Sequence, residues 1–375
     1  MMDFMDGMDE IDSAAGVSLA PCPRRPQGPP RPLVWTTIIS LTMLSILGCG
    51  QMARSPRSPA KPESTPSSTS TPAPAPVSGD LSGQARQIIL DGLADAEPQI
   101  RANAVEVVAS TRELRLMPNV RKLMIDKVVP VRFAAILAVG DLSYAPAKDD
   151  VAPLLNDPNP NIKIAACYAM TRLGQTQYYQ DLCTAVASND QTVRANAALL
   201  LGKSGQQEGI RFLYWTLQRD DSSDMVVLQT AEAIAMLGDP RIYPKLWTRL
   251  ISTYADDRVI GTRAMGALGT EEAKSAIVTM LDDPVPEVRL AAAEQLGKLG
   301  DSAGEAEVLA VFGKRLMADM DAQGQQRVKI LAALAIGEIG TERPARYLPQ
   351  LLQDPSKVVR LAAAKAVLRR ALKKT

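Results

Sequence analysis

Histidine is absent from all 375 residues. Without imidazole the chain cannot build a Ser-His-Asp or Cys-His nucleophile system, a histidine general base, or a metal site that depends on histidine. Cysteine is scarce: Cys22, Cys49, Cys167 and Cys183 occur without any C-x-x-C pair, so a structural zinc site or thioredoxin-like centre has no support. Aromatics make up only 4% of the chain, which leaves Ala, Leu, Val and Ile to supply the core. Nothing alternates with period two over a useful length, which argues against a sheet. Charge of one sign is not in excess either. A net charge of +1 lacks the basic field that marks a nucleic-acid binder. Neither a metal nor a cofactor is expected.

What is present is a period. The positions Arg101, Arg132, Lys163, Arg194, Val227, Arg258, Arg289, Lys329 and Arg360 follow one another at steps of 31, 31, 31, 33, 31, 31, 40 and 31. Each opens an alanine-rich apolar stretch. An aspartate stands six residues earlier as Asp95, Asp126, Asp157, Asp221, Asp283 and Asp354, and a glycine eleven residues later as Gly174, Gly205, Gly238, Gly269, Gly300 and Gly340. Such self-similarity marks a stack of small supersecondary units.

The seventh unit reads most clearly. Thr270 caps a first helix with Ala273, Ala276, Ile277, Met280 and Leu281 on one face. Asp282-Asp283-Pro284 breaks it, and Pro286 starts a second helix, where its missing N–H costs nothing. Val288, Ala291, Ala292, Leu296 and Leu299 continue an apolar stripe, and Gly300 ends the helix in the left-handed conformation. Two helices of about 12 residues cannot bury an apolar face alone, so neighbours stack. With ~8–10 Å between packed helices, nine units predict an elongated arc on the order of 80 Å long.

The run Asp283-Pro284, Val288-Arg289, Ala292-Ala293, Leu296-Gly297, Leu299-Gly300, repeated more loosely from Asp354-Pro355 to Ala363-Ala364, resembles the short HEAT-like repeats also found in phycobilisome lyases. The resemblance covers about residues 81 to 372. It implies an all-α fold, a right-handed α-solenoid of about nine two-helix repeats, with second helices along the concave face. Repeat arrays present surface to partners, so the expected function is a non-enzymatic scaffold that binds protein partners; resemblance to the lyases implies, as the alternative, an enzyme of phycobilisome-lyase type acting on a partner protein. HEAT-like deoxyhypusine hydroxylases hold iron through His-Glu pairs, which this chain cannot supply. HEAT-like DNA glycosylases need a basic groove, which its net charge does not provide.

Residues 33–47 are uncharged and mostly apolar, follow Arg24, Arg25 and Arg31, and end in Ile46-Leu47-Gly48-Cys49. The length suits a signal-peptide core better than a spanning helix. The ending resembles the bacterial lipobox, which implies that Cys49 is lipidated and residues 1–48 are removed. The acidic stretch from Asp3 to Asp12 is unusual before such a signal and is consistent with a misassigned start. Residues 49–80 are rich in Pro, Ser and Thr and read as an extended linker. At ~3.1 Å per residue it holds the body at residues 81–375 up to roughly 90 Å from a bilayer. The expected location is the bacterial cell envelope, outside the cytoplasm, attached to a membrane through the N-terminal lipid.

The candidate sites are weighed against scaffolding. The charged ladder (Asp95, Arg101, Asp126, Arg132, Asp157, Lys163, Arg194, Arg258, Asp283, Arg289, Asp354, Arg360) recurs in unit after unit, which is what structure predicts; a single active site does not repeat. Val227 interrupts it in the fifth unit. Asp220-Asp221-Ser222-Ser223-Asp224 lacks the glycine and the bidentate Glu of a calcium loop. Cys167 and Cys183 fall on helices expected to be neighbours, and an exported protein permits a disulfide there. The candidate partner-binding residues are Leu137, Tyr168 and Leu199, five residues after the basic position, with Arg172 and Lys203 nine after. Phe212 and Trp215 lie off the core spacing of their helix. Nine extra residues in the eighth unit predict a longer first helix ending at Asp321 to Gly324. The charges Lys365, Arg369, Arg370, Lys373 and Lys374 predict a solvated C-terminal cap.

Overall fold

The computed structural model describes residues 80–374, apart from 314–315 and 318–319. The expected export signal, Cys49 and the linker all lie outside the described residues but for Asp80. Among the described residues the chain is helix and turn without strand. No described helix is long and apolar enough to cross a membrane.

Nine second helices, numbered α1 to α9 in chain order, carry the architecture: Pro98–Thr111, Val129–Asp141, Pro160–Arg172, Gln191–Ser204, Asp224–Met236, Ala255–Leu268, Pro286–Lys298, Ala322–Ile339 and Lys357–Lys374. Proline opens α1, α3 and α7 at the helix start, where no hydrogen bond is lost. Thr270 caps the first helix of unit seven, its Oγ1 accepting from the Ala273 N–H at 3.2 Å. All six glycines of the terminal row adopt positive φ, from 65° to 88°. Units one and two carry Arg112 (φ 55°) and Ser143 (φ 47°) at the same place. The turn therefore imposes the left-handed backbone whether or not glycine supplies it, at a cost of about 1 kcal/mol for each L side chain.

A second glycine row governs how closely the inner helices approach. A Cβ on Gly297 would stand 2.6 Å from the Ile339 amide nitrogen, and one on Gly337 would stand 2.7 Å from the Ala366 Cα. Backbone meets backbone at these crossings, so each unit turns tightly on the last.

Tight turning has a consequence that overturns the open arc. Each α-helix from α1 to α9 packs on the next, and α9 packs back on α1 and on the first helix Leu81–Leu93. The Lys357 ammonium reaches Asp95 at 2.8 Å, and Lys365 reaches Glu106 at 2.8 Å. Leu361 fills the joint, 3.2 Å from where a Cβ on Gly92 would be. The solenoid is a closed ring. The ~80 Å contour becomes a circumference, and the inward-facing side chains Tyr168, Leu199 and Glu294 are buried.

Two further expectations change. The extra residues of unit eight lengthen the connection and the second helix rather than the first. The first helix ends at Gly313, and Asp321 caps the 18-residue α8 by accepting from the Gly324 N–H at 2.7 Å. The C-terminal charges do not form a solvated cap. Arg369 pairs with Glu338 at 2.9 Å, Arg370 with Glu342 at 3.1 Å, and Lys373 donates to the Gly297 carbonyl at 3.1 Å.

Candidate functional site: the ladder, the lumen and the rims

The ladder arises because an Asp side chain in the turn before a second helix has two jobs. Asp126 accepts from the Val128 N–H two residues on at 2.8 Å, closing its own turn. It also accepts from Arg101 of the preceding unit, at 2.9 Å from Nε and 3.0 Å from Nη2. Arg101 in turn donates to the Asp95 carbonyl at 2.8 Å. Arg132 and Asp157 (4.0 Å), Arg194 and Asp221 (2.9 Å), Arg258 and Asp283 (2.6 Å), and Lys329 and Asp354 (2.8 Å) repeat the link. Arg194 is fully buried, so its pair and its bond to the Ser188 carbonyl are obligatory.

The departures follow from sequence. Lys163 is exposed, and the aspartate it would meet is Ser188. Val227 likewise faces a unit whose aspartate is Ser252. Where unit eight's insertion displaces the partner, Arg289 takes Glu307 at 2.6 Å. At the ring joint the Asp95 carboxylate is held by Lys357, while Arg360 donates to the Asp354 carbonyl at 2.7 Å. A cavity of about 220 Å³ remains there, lined by Ile88, Gly92, Ile100, Lys357, Arg360 and Leu361.

The proposed partner patch is not a surface. Leu137 is 9% exposed, Tyr168 1% and Leu199 2%. Convergence of the inner helices packs these positions against neighbouring units. Tyr168 donates to Asp141 at 2.7 Å, and Lys203 pairs with the same Asp141 at 3.0 Å across two units. Arg172 alone of the five is exposed, its Nε directed to the Gly140 carbonyl at 3.4 Å. Phe212 is also buried, at 1% exposure, and Trp215 carries the Arg219 guanidinium 4.7 Å above its ring.

In five of the six remaining units the same inward position holds charge, and unit eight has Leu334 there. Glu106, Glu232, Arg263, Glu294 and Lys365 stand five residues after the basic position of units one, five, six, seven and nine. Glu294 pairs with Lys298 at 2.8 Å and Arg263 at 3.3 Å. Burial alone would raise its carboxyl, but Lys298 and Arg263 outweigh that and hold it at about 2. Glu338 is lowered likewise, with Arg369 overcoming burial. Glu232 differs: its carboxylate accepts from Gln229 at 2.9 Å, and burial pushes it up despite Arg263, Lys203 and Lys298 nearby. Sequence reading missed this network, although the sign alternation at one repeat position was there to be read.

Among the described residues no three His, Cys, Asp or Glu side chains converge as metal ligands. Cys167 and Cys183 are free and buried. Burial first, then Asp181, pushes the Cys167 thiol up to about 12, and burial pushes Cys183 up to about 11. Both are inert thiols at neutral pH.

The chain matches no curated protein. Solved structures similar to it include human deoxyhypusine hydroxylase, at 18% identity over 70% of this chain and 97% of that one, with a TM-score of 0.35. The complex of CpcE and CpcF of phycocyanin lyase from Nostoc matches at 16% identity over 67% of this chain and 94% of that one, with a TM-score of 0.37. Kap121p matches at 13% identity over 76% of this chain and 37% of that one, with a TM-score of 0.30. The family model for HEAT repeats matches residues 87–170, 129–195, 180–260 and 252–319. With the paired-helix units that these matches span, the chain belongs to the HEAT-repeat proteins.

Proposed function

We propose that this chain is a lipid-anchored scaffold of the bacterial cell envelope that holds protein partners on the surface of its HEAT-repeat ring and carries out no catalysis of its own. Cys49 is the lipidated residue, and the Pro-rich linker sets the ring away from the membrane. The observation that carries the reading is the use made of charge. Its buried cations and anions pair with one another from unit to unit, as mortar does. Closure removes the open concave groove, so the working surfaces are the two rims and the outer wall.

Two measurements test it. Mass spectrometry of the mature N-terminus finds diacylglycerol on Cys49, and globomycin blocks processing; an unmodified protein in the cytosolic fraction contradicts the anchor. Crosslinking of native envelopes with the full chain recovers a defined protein partner; recovery of nothing but the chain itself contradicts the scaffold.

A further inference from the structure

The turns between first and second helices form one rim of the ring, and in units five to seven that rim differs from the rest. Ile251 is 65% exposed, Tyr254 69%, Trp247 38% and Val278 42%. These are large apolar groups that the fold leaves in water. Register places them together. Trp247 and Val278 both stand eleven residues before the basic position, in adjacent units. Ile251 stands seven before it, where unit five has Asp220 and unit seven has Asp282. Trp247 stacks on Tyr243 with 6.2 Å between ring centroids, and its carbonyl accepts from the Ile251 N–H at 3.4 Å.

Charge around this patch is one-sided. Asp220, Asp224, Asp256 and Asp282 are exposed and make no ion pair among the described residues, although burial raises the Asp256 carboxyl above its ordinary value and Arg327 stands near it. The arginines of the same turns are already committed: Arg219 to Asp221 at 2.7 Å, Arg249 to Asp257 at 3.4 Å, Arg258 to Asp283 at 2.6 Å, and Arg327 to Glu287 at 3.4 Å. The N-termini of α5, α6 and α7 oppose this with roughly +0.5 charge each. Four carboxylates against about +1.5 from the helix ends and the exposed Lys245, two residues before Trp247, still leave the sector negative. The rim around Ile125, which is 82% exposed, is different, because Lys127 accompanies it and Asp126 is paired with Arg101.

We propose that the turn-side rim of units five to seven is a docking surface for a lysine- or arginine-rich segment of a partner protein that also carries apolar side chains. The proposal rests on the scaffold reading and names its working surface and the partner's chemistry. Three units at ~8–10 Å each give a track of roughly 25 Å, the reach of about eight extended residues. Cations on the segment meet Asp220, Asp224, Asp256 and Asp282, and its apolar side chains cover Ile251, Tyr254 and Trp247. An acidic rim repels nucleic-acid phosphates and anionic lipid headgroups alike.

The test uses the full chain in detergent and a fluorescein-labelled 12-residue peptide of alternating Lys and Leu, with a Glu-Leu peptide as counter-probe. Fluorescence anisotropy shows the Lys-Leu peptide bound and the Glu-Leu peptide not bound. Substituting Asp220→Asn, Asp224→Asn, Asp256→Asn and Asp282→Asn together weakens binding about tenfold or more and flattens its salt dependence. Ile251→Ser with Tyr254→Ser weakens it about fivefold. Both variants sit on exposed side chains and keep the wild-type melting temperature. Unchanged affinity in either variant, or equal binding of the Glu-Leu peptide, overturns the assignment. In native envelopes, a partner crosslinked equally by wild type and the four-Asn variant removes the rim while leaving the scaffold. A wild type that binds neither peptide nor partner removes both.

Discussion

Lys357 in the last unit reaches Asp95 in the first at 2.8 Å, and Leu361 beside it packs on Gly92. The two ends of the array are thus one interface, and each terminal unit serves as the other's cap. The ion pair is solvent-exposed on the lysine side, so Lys357→Ala has only a small effect on stability. Leu361 is 3% exposed, and Leu361→Asp costs about 3 kcal/mol or more because it buries an unpaired charge. Urea titration of both variants checks the order; equal small effects contradict a packed joint.

Glu294 and Glu232 occupy the same repeat position with opposite consequences. The folded state holds Glu294 at about 2, below its ordinary 4.5. Its contribution is therefore full above pH ~4.5 and is lost as pH falls through about 2. Glu294→Gln removes the carboxylate that Lys298 and Arg263 share, costs about 3 kcal/mol at pH 7, and removes that acid dependence. The Glu232 carboxyl is raised by burial, so the folded state keeps a proton that the unfolded chain has lost, and stability declines as pH rises through that interval. Glu232→Gln removes the decline and raises the melting temperature at neutral pH. Thermal unfolding from about pH 1.5 to 8 decides both, and a destabilising Glu232→Gln contradicts the assignment.

Arg112 and Ser143 hold left-handed backbone that glycine supplies in six other units. Arg112→Gly and Ser143→Gly each stabilise the ring by about 1 kcal/mol, seen as a shift in denaturation midpoint. A loss in either variant shows that the side chain contributes more than the backbone strain costs.

Gly297 lies where α7 meets the C-terminal end of α8, with the Ile339 nitrogen 2.6 Å from any added Cβ. Gly297→Val forces the helices apart and costs about 2–3 kcal/mol or more. The same change at Gly313, where a Cβ meets nothing within 4 Å, has an effect below about 1 kcal/mol. Equal effects contradict the close crossing.

The unit was readable residue by residue because its signals are local. Thr270, Pro286 and Gly300 each act on the turn in which they sit. The ring was not readable, because closure is the sum of nine small rotations and no single residue encodes it. Leu137, Tyr168 and Leu199 looked like a surface patch for the same reason: position along one helix does not say how closely the next helix comes. The row Gly140, Gly202, Gly266, Gly297 and Gly337, eight residues after the basic position, was the available clue to that approach. In unit eight, Asp321 followed by Gly324 marks a helix start rather than a helix end, as its cap shows.

Closure itself is tested most directly by the distance between the two ends. Spin labels on the exposed residues Glu97 and Gln353 of the full chain lie one unit apart around the joint. Double electron–electron resonance then returns a single narrow distance of roughly 10–25 Å, the spacing of adjacent units plus label length. A broad distribution centred beyond about 50 Å, as nine units in an open arc require, contradicts the ring.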